Sequence, residues 1–160
     1  LLEVERLNDQ QIVLQPASFC LRALIDQLVR STAEPGRMRV QGPTTALLCA
    51  DQRFVQVVLS NLIDNALKYG AADQPVCIDL HVGTALVITI ANAVGAAGAP
   101  DPVQVFQKYY RAPGAHEKIG SGLGLYLTRS LVDLLGGHIR LSANPATVMF
   151  VLELPWGSCK

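Results

Sequence analysis

Between Asp51 and Gly70 the chain reads "DQRFVQVVLSNLIDNALKYG", a stretch that carries two helical patterns at once. Phe54, Val58 and Leu62 make one apolar row and Val55, Leu59 and Ile63 a second, so a helix here buries a broad face. Asp51 is placed to cap its start and Gly70 to end it. On the remaining side, Asn65 follows Asn61 by four residues, and Lys68 and Tyr69 follow Asn65 by three and four. Residues at those offsets share one side of a helix. Two amides and an ammonium aligned on a core helix need partners. One reading is a solvated helix face. The other is a triphosphate site, in which an amide oxygen suits Mg²⁺ and the ammonium of Lys68 offsets phosphate charge.

The flanking segments predict a fold around this helix. Apolar residues recur at helical spacing from Phe19 to Val29, with Ser18 as a plausible cap and "STAEPGR" as the stop. "MRV" and "ALLCA" read as short strands. "VCIDLHV" and "ALVITIA" read as longer ones, and Gly83-Thr84 between them suits a type II′ hairpin. Residues 92 to 120 are rich in Ala, Gly and Pro, with one amphipathic turn near "PVQVFQKYY". A helix from about Leu123 to Leu135 stops at Gly136-Gly137, and "HIRLSA" and "TVMFVLEL" complete the strands. The mixture predicts an α+β fold: a two-layer sandwich of about five mostly antiparallel strands under about three helices.

The size and composition agree with one packed domain. The chain has 160 residues, half of them apolar and 16% charged, enough to bury a substantial core. Thirteen basic and thirteen acidic residues leave a net charge of zero, which argues against a general nucleic-acid or anionic-membrane surface. No apolar run is long enough to cross a bilayer. Residues 1–14 read as the end of an upstream helix and linker, and residues 15–160 as the domain itself. Cys20, Cys49, Cys77 and Cys159 are widely spaced with no C-x-x-C pair, and are expected to be reduced thiols in a reducing compartment.

Residues 120–125, "GSGLGL", add a second chemical feature. Gly120, Gly122 and Gly124 alternate immediately before the expected helix, so bare N–H groups and a helix N-terminus can face one anion. No G-K-[ST] follows, which excludes a P-loop, and no βαβ unit frames a dinucleotide fingerprint.

Taken together, these segments resemble the ATP-binding catalytic domain of sensor histidine kinases, within the superfamily of gyrase and chaperone ATPases with the Bergerat-type fold. "NLIDNALKYG" is similar to that family's N-box, "VFQKYYRA" to its F-box and "GSGLGLYL" to its second glycine box. The resemblance implies that Asn65 holds Mg²⁺, that Asn61 and Lys68 contact phosphates, and that Tyr69 lies along the nucleoside of ATP. It implies further ATP contacts from Tyr110, Arg111 and Lys118 in a lid between Phe106 and Gly120, and from Gly120, Ser121, Gly122, Leu123, Gly124 and Leu125. Lys108 is a further basic lid residue, and His116 in the lid carries no partner spacing.

The same resemblance implies a reaction. Related ATPases that split water carry a Glu at the position of Asn61, and an amide cannot accept that proton. Transfer of the γ-phosphate to a His is therefore favoured over hydrolysis. Asp64, the nearest carboxylate, lies about 100° from Asn65 around the helix. His81 and His138 fall on strands, and no His stands at the head of a long dimerisation helix, so the phosphoacceptor lies outside this chain. The implied partners are the protein's own dimerisation domain, in a homodimer, and a response regulator. The implied place is the cytoplasmic side of a bacterial inner membrane, reached only through other parts of the protein.

One motif departs from the pattern. The family's first glycine box, Asp-x-Gly-x-Gly, begins fourteen residues before the F-box Phe, which puts Asn92 at the Asp and Val94 and Ala96 at the glycines. A shifted alignment uses Gly95 and Gly98 instead. Asn92 can still accept from an adenine amino group, without charge assistance. An alternative function follows: a degenerate domain that binds nucleotide weakly and acts through dephosphorylation of a partner or conformational signalling.

Overall fold

The computed structural model describes residues 13–96, 98–107, 124–155 and 159. The expected upstream helix lies outside these residues, apart from the exposed Val13 and Leu14. The chain enters as a strand, β1 (Ala17–Cys20), followed by helix α1 (Leu21–Arg30), a 3₁₀ turn at Pro35–Arg37, β2 (Met38–Gln41) and β3 (Leu47–Ala50). The long helix α2 spans Gln52–Tyr69, and β4 (Val76–Val82), β5 (Leu86–Ala93), α3 (Gly124–Leu134), β6 (His138–Ala143) and β7 (Thr147–Leu154) follow.

Five strands form one mixed sheet in the order β2-β4-β5-β7-β6, with only the β2–β4 pair parallel. A separate two-stranded sheet joins β1 to β3, pairing Ala17 with Ala50 and Cys20 with Leu47. Helix α2 packs against α1, α3 and β5, and α3 also contacts β6, which gives the expected two layers. One continuous core fills the space between them, including Ile25, Leu59, Leu62 and Ile63 from the helices and Ile78, Ile88, Ile90 and Leu152 from the sheet. Alternation explains the sheet's contribution: in β5, Leu86, Ile88 and Ile90 are buried while Val87 and Thr89 are only half-buried.

Three local expectations are corrected. Phe19 does not begin a helix and Ser18 does not cap one, because residues 17–20 pair with β3. The helix starts two residues later, at Leu21, with no side-chain cap; the amide of Leu21 donates instead to Ala46 O at 2.8 Å. The β4–β5 hairpin is not a two-residue type II′ turn. Val82 pairs with Leu86, so residues 83–85 close it, with the Gly83 amide donating to Ala85 O and no positive φ at Gly83. Finally, Cys49 and Cys159 are joined in a disulfide across 110 residues, with Cα atoms 5.5 Å apart. Sequence separation hid that adjacency, while Cys20 and Cys77 remain half-buried thiols as expected.

Candidate nucleotide-binding site

The polar line of α2 survives intact. Asn61, Asn65 and Tyr69 are half-buried and Lys68 is exposed, while Val55, Val58, Leu59, Leu62, Ile63 and Ala66 fill the core on the other sides. The Lys68 ammonium lies 5.2 Å from the centre of the Tyr69 ring, a cation–π contact that fixes two site side chains relative to each other. Among the described residues the Asn65 amide makes no hydrogen bond, so its oxygen is available.

Asn61 is held differently. Its Nδ2 donates to Thr128 Oγ1 at 3.2 Å and, more weakly, to Gly124 O at 3.4 Å. Thr128, fully buried on α3, donates in turn to Gly124 O at 2.8 Å. With its nitrogen engaged, Asn61 presents its oxygen elsewhere, and α2 is tied to the first turn of α3, which begins at the last glycine of the expected box. An open groove of about 400 Å³, lined by Arg53, Gln56, Val57, Ser60 and Asn61, runs from this end toward the start of α2. Asp64 is exposed and off the polar line; partial desolvation of its carboxyl raises its pKa from the ordinary value.

At its other end α2 meets the departure from the family pattern. Gly70 bridges Val94, and the Ala71 amide donates to Ala93 O at 3.0 Å. The two backbones touch so closely that side chains do not fit. A Cβ on Gly70 would lie 2.5 Å from Ala66 O and 2.8 Å from Asn92 Nδ2. A Cβ on Gly95 would lie 2.3 Å from Tyr69 O. Gly95 is therefore the residue that must lack a side chain here, while Val94 packs against the core. Gly98, at φ +79°, closes the following turn with its amide on Gly95 O at 3.1 Å. Asn92 is 93% buried, and its Nδ2 donates to Ala93 O at 2.9 Å, which leaves Oδ1 as its acceptor side. Ala96 is an exposed turn residue.

The F-box turn is anchored from below. Asp101 Oδ1 accepts from the amides of Val103 and Gln104, and Val105 and Phe106 are buried. Phe106 sits edge-on to Phe150 at 6.1 Å, with the Arg129 guanidinium 5.7 Å from its ring centre. Lys108, Tyr110, Arg111, His116, Lys118, Gly120, Ser121, Gly122 and Leu123 lie outside the described residues; Gly124 and Leu125 open α3. His81 and His138 are exposed on β4 and β6, as read. Among the described residues, no group of three or more His, Cys, Asp or Glu side chains could hold a metal ion.

Sequence reasoning missed two contributors. Thr128 looked like one helix residue among others, and its only signal was a hydroxyl on an otherwise apolar face. Gly95 had a signal, the shifted alignment, but only the backbone contact with Tyr69 shows why a glycine is needed there.

Residues 50–157 match the family model described as histidine kinase-, DNA gyrase B- and HSP90-like ATPase, and the chain belongs to that family. Its branch is the ATPase domain of sensor histidine kinases. One relative is the sensor histidine kinase HprS of Escherichia coli K12, 31% identical over 66% of this chain and 24% of its own. Among solved structures, full-length ShkA in complex with AMPPNP matches 99% of this chain and 35% of its own, with a TM-score of 0.79 at 21% identity. The nucleotide-free catalytic domain of histidine kinase ThkA matches 89% of this chain and 96% of its own, with a TM-score of 0.73 at 21% identity. The chain spans about a quarter of the length of the first curated relatives it matches. Among the described residues, no helix is long and apolar enough to cross a membrane.

Proposed function

We propose that the chain binds Mg-ATP along the polar line of α2 and transfers its γ-phosphate to a His on a dimerisation domain of the same protein, in a homodimer that signals to a response regulator. The observation that carries this reading is the continuity of one wall. Asn61, Asn65, Lys68 and Tyr69 line one helix face, and that face ends in backbone contact with Asn92–Gly95.

The residues fit the ligands. A half-buried amide oxygen with no described partner is a hard donor suited to Mg²⁺, and Asn65 would supply it. When bound, the ion would neutralise charge on the β- and γ-phosphate oxygens. Lys68 brings a positive charge to the same face, and the Tyr69 ring offers a flat surface to the nucleoside. Asn92 offers an acceptor oxygen to an adenine amino group. Asn61 cannot take a proton from water, and its nitrogen is committed to α3, so it orients rather than abstracts. The lid residues Tyr110, Arg111 and Lys118 and the glycines before α3 are proposed to close over the phosphates. The degenerate alternative loses support from Gly95, which meets the steric demand that Val94 and Ala96 left open.

Titration of Mg-ATP by calorimetry tests the reading. Asn65→Ala is expected to weaken metal-dependent binding by at least about tenfold, as loss of a metal-site group commonly does. Its melting temperature should fall by no more than about 2 °C, as for most partly exposed substitutions. Equal affinities in wild type and variant would reject Asn65 as the metal residue. The chain alone should take no label from ATP, whereas the chain joined to its dimerisation helices should form acid-labile phosphate.

A further inference from the structure

Helix α2 ends without the usual means of satisfying its last carbonyls. Its final residue passes into Gly70 at φ −74°, ψ 165°, an extended exit, so no left-handed turn folds back over the end. The Gly70 amide takes Ala66 O, and a side chain from another part of the chain takes Leu67 O together with two carbonyls just past the helix. Arg37 closes the 3₁₀ turn before β2, and its side chain is only 10% exposed. Its Nη1 donates to Leu67 O at 3.1 Å, its Nη2 to Ala71 O at 2.7 Å and its Nε to Gln74 O at 2.8 Å. Nη1 also pairs with Glu34 at 2.9 Å, which fixes the fork's orientation. A cation at this place also complements the negative end of the helix.

The Ala71 peptide is thereby pinned on both sides. Its carbonyl accepts from Arg37, and its amide donates to Ala93 at the end of β5, next to Asn92. Between Leu67 and Ala71 lie Lys68, Tyr69 and Gly70, the nucleotide-facing end of the helix. We propose that Arg37 is a positioning residue of the nucleotide site: it touches no nucleotide, and holds the last turn of α2 in register with Asn92–Gly95. This inference rests on the nucleotide reading above. Only a planar fork with several divergent N–H groups can reach three carbonyls at once, so a lysine should serve poorly.

The experiment compares wild type, Arg37→Met, Arg37→Lys and Arg22→Met in the full 160-residue chain. Arg22 is a matched control, because it also ties backbone carbonyls (Gly42 and Pro43) and pairs with Asp26, on α1. All are titrated with Mg-ATP at a temperature where circular dichroism shows each one folded. The expected result is an ATP affinity at least about fivefold weaker in Arg37→Met, in line with the cost of small misplacements at a site. Arg37→Lys should recover only part of the loss, and Arg22→Met should bind as wild type does despite a lowered melting temperature. Amide exchange at Gly70 should quicken in both Arg37 variants and not in Arg22→Met. Unchanged affinity in the folded Arg37 variants, or an equal loss in Arg22→Met, would overturn the inference. If Arg37→Met does not fold, Arg37→Lys decides by the same comparison. Failure of wild type to bind Mg-ATP would instead reject the nucleotide reading, and with it this role.

Discussion

At its N-terminus α2 is capped by a neighbour in sequence: Asp51 accepts from the amide of Arg53 and forms an ion pair with the same residue. At its C-terminus the nearest help comes from Arg37, thirty residues before Leu67, and from β5, more than twenty residues after Gly70. The first end is closed by a charged side chain 98% buried, the second by backbone packed on backbone at two glycines. Local chemistry closes the end that no proposed ligand touches. Long-range packing closes the end that carries Lys68 and Tyr69. A site built in the second way ties binding geometry to the tertiary fold, so changes there should disturb stability and affinity together. Changes at the Asp51 end should disturb stability alone.

The largest separation should come from Gly95→Ala. The new Cβ would lie 2.3 Å from Tyr69 O, and the obstacle is backbone, which cannot swing aside. Overpacking of this kind typically costs about 1–3 kcal/mol, occasionally more, and this contact belongs at the upper end. A urea titration should show the midpoint falling, and Mg-ATP affinity should fall with it in the fraction that remains folded. A variant as stable as wild type would mean that β5 and α2 do not approach as described.

The same contrast explains what the sequence revealed. Asp51 could be read because a cap acts within two residues of itself, and the rows of α2 could be read because their period is local. Gly70 was placed correctly as the end of the helix, but for a different physical cause: it needs no positive φ, only room beside Ala66 and Asn92. Arg37 falls in the expected helix stop "STAEPGR", and nothing in that segment reports three carbonyls that arrive from residues 67–74. β1 hid for the same reason: Leu21, Leu24, Ile25 and Leu28 fit a helical period that invites extension back to Phe19, and the pairing of residues 17–20 with 47–50 that stops it is distant in the chain. The Cys49–Cys159 disulfide is the extreme case, with 110 residues between partners. The site followed suit: the N-box line was legible as a helical stripe, while the requirement for Gly95 and the tie from Asn61 to Thr128 were not.

A middle-sized effect should follow from Asn92→Asp. By base chemistry alone a carboxylate is the better acceptor for an adenine amino group, and tighter ATP binding would follow. The geometry opposes it. The Nδ2 that donates to Ala93 O would become an oxygen facing that carbonyl, in a position only 7% exposed. Removing one partner of a buried hydrogen bond costs about 1–3 kcal/mol. The introduced carboxyl would have a raised pKa in the folded state, because only its protonated form can donate to Ala93 O. The penalty should therefore be fully present at neutral pH and diminish as pH falls through that raised value. Urea midpoints of variant and wild type at pH 7 and pH 5 check the sign. A penalty unchanged between them would mean that the side chain turns away from Ala93.

The smallest effect is expected at the Asp51 end, and it should leave affinity untouched. The hydrogen bond from Arg53 holds the Asp51 carboxyl below its ordinary value of 3.8; burial opposes this, and the Gln15 amide adds to it at 2.9 Å. A carboxyl whose folded-state pKa is depressed stabilises the fold fully above its unfolded value. That contribution is lost as pH falls through the lower, folded value. The window is therefore acid, from just under pH 4 downward. Asp51→Asn keeps an oxygen for the Arg53 amide, since Asn caps about as well as Asp. Its nitrogen then takes the place of Oδ2 and faces both the Arg53 guanidinium and the Gln15 amide, so donors meet donors. The Arg53 side chain is 60% exposed, so solvent screens the ion pair, and the loss at neutral pH should be about 1 kcal/mol. Urea midpoints from pH 7 to pH 3 should fall more gently in Asp51→Asn than in wild type, the two curves converging at the acid end. Mg-ATP affinity at pH 7 should be the same in both. A weakened affinity would mean that the two ends of α2 are coupled along the helix, and the contrast between a local cap and a binding end would fail.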